Sequence, residues 1–193
     1  MAKTLRARGI RFLTVLVPTL LLLAALAGSA QAALLLIDSS GKLTGATGVT
    51  VGGATYNVSF VDGTCVNLFA GCDADTDFTF QTMVAARAAA QALLDQVLID
   101  AGTLGDFDAR PFDTNGCADL LECYVLVPYD VRTELPVPDV TGAAATNLSG
   151  AQIDGIFDTA FFLPTDDTSL APELAYAVFT PASPVPEPSP FSG

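Results

Sequence analysis

The chain has 193 residues, with 21 acidic and 8 basic side chains and no histidine, so its formal net charge at pH 7 is −13. Such acidity disfavours nucleic acid as a partner, because affinity for nucleic acid comes largely from Lys and Arg side chains that neutralise phosphates. The missing histidine excludes catalysis of the Ser-His-Asp and Cys-His types. Hydrophobic residues make up 51% of the chain, which is enough for a core and unlike a disordered segment.

The N-terminus has the pattern of a secretory signal peptide. Basic residues between Lys3 and Arg11 precede an apolar run from Phe12 to Ala27, and Ala30-Gln31-Ala32 supplies the small residues that signal peptidase accepts. We expect residues 1–32 to be removed by cleavage before Ala33. An uncleaved membrane anchor is the alternative, but the apolar run is short for a span, which needs roughly 20 residues.

Cleavage would leave an acidic chain of the size of one domain. Four of the eight basic residues lie in residues 1–32, whereas all 21 acidic residues follow them, so the mature net charge would be −17. The remaining 161 residues fit a single domain. We expect residues 33–180 to form that domain and residues 181–193, which are rich in Pro and Ser, to form a flexible tail.

The first part of the domain carries strand patterns. The apolar run from Ala33 to Asp38, followed by Ser39-Ser40-Gly41, predicts a strand and a turn. The segments Val49–Val51 and Thr55–Val61 alternate with a period of two residues. Gly52-Gly53 between them predicts a tight hairpin turn, because glycine readily adopts the positive φ that such turns require.

One long amphipathic helix is predicted at about residues 82–101. Thr79 or Thr82 would cap its N-terminus, and Gly102 would end it. Arg87 is predicted on a second, polar face of the helix. Apolar side chains recur at intervals of three and four residues, at Met83, Ala86, Ala90, Leu93, Leu94 and Val97.

Further strand patterns follow the helix. Tyr124–Val127 is predicted to be a strand that Pro128 ends at an edge or bend. Leu135–Pro138 is predicted to be a stiff connector. Two later strands are predicted at Gly155–Leu163 and Leu174–Thr180. Because these strands cluster without intervening helices, we predict an α+β, β-rich antiparallel domain of sandwich-like form.

The four cysteines form two close pairs in the sequence. An exported protein meets oxidising conditions, which favour disulfides. Four cysteines allow three connectivities, and the two local loops are favoured because short loops close most easily. Metal binding is the alternative, but the chain lacks histidine and the spacings differ from the C-x2-C of zinc sites. We therefore predict structural disulfides Cys65–Cys72 and Cys117–Cys123.

Three alternating acids, Asp73, Asp75 and Asp77, are weak candidates for a calcium site. Their spacing is that of the first ligands of an EF-hand loop. An EF-hand also needs Gly at its sixth position and Glu at its twelfth, where this chain has Phe78 and Val84. An irregular calcium site is the alternative to an acidic, solvated loop, and no other cofactor is predicted.

Carboxylate pairs are one catalytic pattern that the chain can supply. Glycosidases use two carboxyl groups, one as a general acid and one as a base or nucleophile. Asp106/Asp108 and Asp166/Asp167 are examples of such acids in this sequence. Adjacent acids in loops are more often solvated charges, so no catalytic residue is predicted.

A Ser/Lys pair is a second catalytic arrangement that the residue types allow. Ser40 lies two residues before Lys42, which is the only lysine after residue 32. Serine can act as a nucleophile when a neighbouring base activates it. Ser-Ser-Gly-Lys after a predicted strand is more typical of a turn, so we assign no nucleophile.

The C-terminal sequence Val185, Pro186, Glu187, Pro188 resembles the sorting signal of PEP-CTERM proteins. Proteins of this family are exported by Gram-negative bacteria that make exopolysaccharide, and exosortase processes them. Their signal continues into a transmembrane helix and a basic cluster. Here only Ser189–Gly193 follows, so we expect the mature chain to be released without a stable membrane anchor.

The body of the chain is similar to uncharacterised domains that PEP-CTERM proteins often carry. The similarity lies in Leu43–Val49, Phe60–Cys65, Gly71–Asp73 and the helical segment Ala89–Val97. The resemblance implies a location and no mechanism. We expect a non-enzymatic secreted or cell-surface protein associated with extracellular matrix or exopolysaccharide. The alternative is a small secreted hydrolase that uses carboxylates, as glycosidases do.

Overall fold

The computed structural model describes residues 32–133, 137–150 and 152–183. The predicted signal peptide and the motif at 185–188 therefore lie outside the described residues. Within these ranges, no helix is long and apolar enough to cross a membrane. Seven strands form one sheet in the order β1-β2-β3-β7-β4-β5-β6. The elements are β1 (Leu34–Ile37), β2 (Leu43–Val51), β3 (Ala54–Val61), α1 (Cys65–Leu68), α2 (Met83–Gln96), β4 (Glu122–Arg132), β5 (Asp139–Leu148), β6 (Gly155–Phe162) and β7 (Leu174–Pro181).

The predicted α+β, β-rich class is confirmed, but the strands of the described ranges form one mixed sheet and not an antiparallel sandwich. Strands β1–β3 and β4–β6 are two antiparallel groups. The last strand, β7, lies between these groups, antiparallel to β3 and parallel to β4. Strand β7 therefore joins two meanders into one sheet, a long-range pairing that local sequence patterns do not reveal.

The predicted first strand and hairpin are present, and β2 is longer than predicted because it begins at Leu43 and not at Val49. Gly52 and Gly53 have φ values of 58° and 87°. Positive φ at both central residues matches the twist of a two-residue hairpin turn to that of its strands. Further along β2, a Cβ atom on Gly45 would lie 2.1 Å from the carbonyl oxygen of Val58, so the close approach of β2 to β3 requires glycine there.

Helix α2 begins where the sequence predicted and ends five residues earlier than Ala101. The Thr82 side chain accepts a hydrogen bond of 3.2 Å from the N–H of Ala85, which is an N-cap. At the other end Val97 leaves helical geometry, and both Val97 and Leu98 turn into the core. Met83 is half-exposed although it was predicted on the apolar face. The buried face consists of Ala86, Ala89, Ala90, Ala92 and Leu93.

Strand β4 does not end at Pro128, as the sequence had suggested. It continues to Arg132, with Pro128 paired to Gly142 of β5 and a register shift directly after the proline. Proline lacks an N–H and is tolerated in sheets at edges and bulges. Because β7 pairs with β4 only from Tyr124 to Leu126, the proline lies beyond that ladder and leaves no carbonyl acceptor of β7 without its N–H partner.

Strand β5 was not predicted, although it lies between β4 and β6. Its sequence lacks apolar–polar alternation, since the segment from Val140 to Ala145 is buried throughout. A strand covered on both faces has no solvent side to mark with polar residues. Its small side chains, Ala143 and Ala145 among them, allow α2 to pack closely against the sheet.

The sheet has two covered faces. We call the side under α2 the helix face; it includes Phe60 and Val125, and Leu93 of α2 belongs to the same cluster. We call the opposite side the loop face, because the segment from Thr64 to Phe78 covers it; it includes Leu126 and Tyr176. Consecutive residues such as Val125 and Leu126 point to opposite faces, as the strand period of two requires.

Candidate functional site

Both predicted disulfides are present in the structure. Cys65 is joined to Cys72 and Cys117 to Cys123, with 5.7 Å between the Cα atoms of each pair. The first bridge closes the loop over the loop face, and the second ties the segment before β4 to the strand on the helix face. All four cysteines are buried among apolar side chains, which is the environment of structural bridges.

The calcium candidates Asp75 and Asp77 accept hydrogen bonds from backbone N–H groups. The carboxylate of Asp77 accepts hydrogen bonds from the N–H groups of Asp73 and Ala74, at 3.0 and 3.2 Å. The carboxylate of Asp75 instead accepts from the N–H of Val131, at 2.8 Å, and so ties this loop to β4. Among the described residues, no group of three or more Asp, Glu, His or Cys side chains is placed to hold a metal ion.

Asp75 also lies against a second carboxyl group. Burial raises the pKa of Asp130, and the charge and hydrogen bond of Asp75 raise it further, while Arg132 lowers it. Like charges at close range favour keeping one proton between them. This pair joins the covering loop to β4 at the loop face, and the sequence did not predict it because its members are 55 positions apart.

Of the acids Asp106 and Asp108, Asp108 acts on a third residue, Asp154, whose pKa is raised to about 6. Partial burial is the main cause of the raised pKa, and the hydrogen bond and charge of Asp108 raise it further. The N–H of Leu148 donates to Asp154 at 2.8 Å and lowers the pKa in part. The sequence carried no signal for Asp154, because the contact depends on the placement of β5 and β6.

The surroundings of this pair are a hydrogen-bonded junction between two loops. The side chain of Asn147 donates to the carbonyl of Phe107 at 2.7 Å, and the N–H of Gly150 donates to the carbonyl of Ala109. Asp100 accepts from the N–H of Asp108 at 3.2 Å. The junction holds the loop that follows α2 against the β5–β6 hairpin.

A direct carboxyl–carboxyl hydrogen bond differs from the usual glycosidase geometry. In glycosidases the two carboxyl groups stand about 5–9.5 Å apart, on either side of the scissile bond. Asp108 instead lies close enough to Asp154 to raise its pKa through a hydrogen bond and through its charge. The arrangement can hold and release a proton, which is one requirement for acid catalysis.

The second predicted pair, Asp166 and Asp167, is divided between two loop roles. Asp166 accepts from the N–H of Leu163 at 2.8 Å. Asp167 accepts from the N–H and hydroxyl of Ser169, at 3.0 and 2.7 Å, and caps the short turn at 168–170. Next to them, burial raises the pKa of Asp62, the hydroxyl of Thr168 lowers it, and the charge of Asp167 raises it.

Ser40 and Lys42 do not form a catalytic pair. The hydroxyl of Ser40 donates to the carboxylate of Asp38 at 2.7 Å. The ammonium group of Lys42 donates to the carbonyl oxygens of Phe112 and Cys117. Both side chains therefore stabilise the turn after β1 and its contact with the segment before β4, as the turn interpretation of Ser-Ser-Gly-Lys predicts.

Two aromatic side chains are exposed on the edge strand β6. Phe157 and Phe161 are 56% and 57% exposed, and the guanidinium group of Arg132 lies 4.4 Å from the centre of the Phe161 ring. A register shift in β6 opposite Gly142 and Ala144 interrupts the regular pairing of this strand. Bulges of this kind discourage edge-to-edge association of sheets.

Comparison with protein families, curated proteins and solved structures finds no match to this chain.

Proposed function

We propose that this chain is a non-enzymatic exported protein of the PEP-CTERM type, secreted or held at the cell surface and associated with extracellular matrix or exopolysaccharide. Export is supported by the signal-peptide pattern before Ala33 and by two disulfides, which persist in oxidising compartments. The sorting-like motif at 185–188 supports the family.

The single observation that carries the non-enzymatic assignment is how the chain uses its carboxyl groups. Carboxylates that accept hydrogen bonds from N–H groups of their own loop act as turn and cap residues. Such groups hold loop geometry and are already satisfied by the backbone. The residues with this role include Asp38, Asp77, Asp119, Asp166 and Asp167.

The exposed rings of β6 support a polysaccharide partner. More than half of each of the Phe157 and Phe161 side chains is exposed, and apolar ring faces suit the C–H faces of sugar rings. Arg132 covers one face of the Phe161 ring, so Phe157 is the freer of the two rings. The negative charge of the mature chain repels acidic polymers. We therefore propose a neutral exopolysaccharide, or an acidic one bridged to the protein by divalent cations.

A glycan panel tests this proposal with the purified exported protein, scored for both binding and cleavage. We expect binding without turnover, and we expect the double variant Phe157→Ala/Phe161→Ala to weaken binding at least tenfold. Leu34→Ala is the matched control, since Leu34 is exposed on β1, at the opposite edge of the sheet from β6, and its loss should leave binding unchanged. No binding to any neutral or cation-bridged glycan would contradict the polysaccharide assignment.

The Asp108–Asp154 pair favours one second candidate, a small hydrolase that uses carboxylates. A carboxyl group with a raised pKa near 6 has the protonation state that a general acid needs. If the panel shows cleavage, Asp154→Asn should abolish it while Asp106→Asn leaves it intact. Cleavage with that pattern would replace the non-enzymatic assignment.

A further inference from the structure

The two edges of the sheet differ in how they are protected from pairing with another strand. Strand β6, at one edge, has a register shift and carries Asp158, which forms a salt bridge with Arg87 of α2. Bulges and charges of this kind discourage edge-to-edge association. Strand β1, at the other edge, pairs among the described strands with β2 alone, and its residues Leu34–Ile37 are all apolar. Apart from its short length, the β1 edge therefore has no such protection.

The backbone groups of β1 alternate between the two sides of the strand. The N–H of Asp38 donates to the carbonyl of Lys42 at 2.9 Å, so this residue faces the β2 side. The carbonyl of Leu36 accepts from the hydroxyl of Thr44, a residue of β2, at 3.0 Å. Alternation therefore turns the N–H and C=O groups of the odd-numbered residues outward, where no described strand pairs with them. We call these residues the outer set: Ala33, Leu35 and Ile37.

The side chains of β1 alternate between the two faces of the sheet. Leu35 and Ile37 are partly buried against the cluster of the helix face. Leu34 and Leu36 point to the opposite side, as the strand period of two requires, and they are 67% and 39% exposed. The β1 edge thus combines open backbone groups with exposed leucine side chains, which are the two features that an added strand would cover.

The outer set is complementary to itself. In an antiparallel ladder, the two residues of a hydrogen-bonded pair exchange both of their backbone bonds. When two copies of β1 pair about a two-fold axis at Leu35, Ala33 of each copy lies opposite Ile37 of the other, and every member of the outer set has a partner. Leu34 of each copy then lies opposite Leu36 of the other, so the exposed leucines cover one another.

Charges at the ends of the strand favour the same register. Cleavage before Ala33, which belongs to the export that we propose, leaves an α-ammonium group at that residue. In the two-fold pairing this group lies beside Asp38 of the second copy, because Asp38 directly follows Ile37. Hydrogen bonds from the Ser40 hydroxyl and from the N–H of Lys42 lower the pKa of Asp38, so its exposed carboxylate is charged at neutral pH. Opposite charges therefore meet at both ends of the contact.

We propose that two copies of the mature protein pair through β1, antiparallel and centred on Leu35, to form a two-fold dimer in which one sheet runs through both copies. A two-fold contact uses each β1 edge once, so the association closes at the dimer. The bulged and charged strand β6 lies at the far edge of each copy, where it does not extend the sheet further. The contact is smaller than the roughly 1,000 Å² of a stable interface, so we expect a reversible dimer.

Sedimentation of the exported protein gives the first test, at physiological ionic strength, where repulsion between two acidic copies is screened beyond about 8 Å. We expect a monomer–dimer equilibrium. Leu34→Glu places a carboxylate against Leu36 of the second copy and should weaken dimerisation at least tenfold. Leu121→Glu is the matched control, because Leu121 is 64% exposed and precedes β4, which three strands separate from β1. A protein that stays monomeric up to about 1 mM, or a Leu34→Glu variant that dimerises like the wild type, would overturn the proposal.

Amide hydrogen exchange, followed residue by residue by NMR, gives a test of register. In the monomer the N–H groups of Leu35 and Ile37 face solvent, whereas those of Leu34 and Leu36 face β2. Raising the protein concentration should therefore slow exchange at Leu35 and Ile37 and leave Leu34 and Leu36 unchanged. Protection that develops along β6 in place of Leu35 would put the contact at the other edge and refute the proposal.

A proline variant and N-terminal sequencing complete the test. Leu35→Pro removes an outward N–H and keeps the bonds to β2, so the variant should fold with a Tm near that of the wild type and lose the dimer. A variant that folds and still dimerises would contradict the pairing. Sequencing of the same samples separates this proposal from export. A monomer that begins at Ala33 refutes the pairing alone, whereas a chain that begins at Met1 refutes the cleavage and, with it, the contact between the ammonium group and Asp38.

Discussion

The two faces of the sheet are covered by different kinds of structure. A regular helix, α2, covers the helix face with a buried surface made mainly of alanine. The loop face is covered by an irregular segment, with a four-residue helix, a disulfide and the aromatic side chains of Phe69 and Phe78. A helix satisfies its own backbone groups, whereas a short loop needs cross-links and bulky side chains to replace that regularity.

The faces also differ in how their polar groups are used. Side chains satisfy backbone groups near the two ends of α2 on the helix face, whereas the carboxyl pair Asp75/Asp130 lies where the covering loop meets β4. A buried polar atom without a partner among the described residues occurs on each side, at Asn147 Oδ1 and at the Tyr176 hydroxyl. We therefore expect substitutions at the helix face to act mainly through packing, and substitutions at the loop face to act through cross-links and protons.

The largest effect is expected from Leu93→Ala in α2. Leu93 is fully buried against the sheet, and truncating a buried leucine costs about 3 kcal/mol, from lost transfer free energy and a residual cavity. Val84→Ala is the control, because Val84 is 74% exposed on the same helix. Chemical denaturation measures both variants, and an equal loss for the two would show that α2 does not pack as described.

Removing the disulfide Cys65–Cys72 with alanine at both positions should cost about 2.5 kcal/mol, because the bridge restricts the unfolded chain. The loss should be local to the loop face, so amide exchange should accelerate over residues 64–78 while α2 keeps its protection. The double alanine variant of Cys117 and Cys123 is the matched control. Faster exchange over 64–78 in that control would contradict the separation of the two faces.

Thr82→Ala should destabilise the protein by about 1 kcal/mol, because the N–H of Ala85 loses its cap. Gln81→Ala, one position earlier and exposed, should change the free energy of unfolding by less than about 0.5 kcal/mol. Denaturant titration at constant pH compares the two. An unaffected Thr82→Ala protein would mean that water replaces the cap at no cost.

The smallest effect on stability is expected from a change of pH. The pKa of Asp154 is about 6 in the folded chain against 3.8 as its ordinary value, so the folded state holds the proton more tightly. This contribution is fully present below about pH 4 and is lost as pH rises through 6. Because solvent screens this half-exposed pair, the change should be about 1 kcal/mol or less.

The pKa of Asp130, which lies where the covering loop meets β4, is raised as well. Stability of the protein should therefore fall between pH 4 and pH 7, as followed by thermal unfolding. Asp154→Asn removes the proton that titrates at the junction and should flatten part of the profile. A wild-type profile that rises over this interval, or a variant profile as steep as the wild type, would refute the shared-proton interpretation.

Local patterns determined several parts of this protein. The hairpin with Gly52-Gly53, the start of α2 at Thr82 and the strands β6 and β7 follow from turn chemistry and periodicity, which act over a few residues. The disulfide connectivity follows from loop length in the same way. Each of these features depends on neighbours in the sequence, so the residues themselves carry the signal.

Contacts between distant segments were decided only by the tertiary structure. The strand β5 has no alternation because both of its sides are covered, and β4 continues past Pro128 because β7 does not pair there. The adjacent acids Asp166 and Asp167 separate into two roles, whereas Asp108 meets Asp154 across two loops. Burial and charge proximity set these pairings, and both quantities exist only once the sheet has formed.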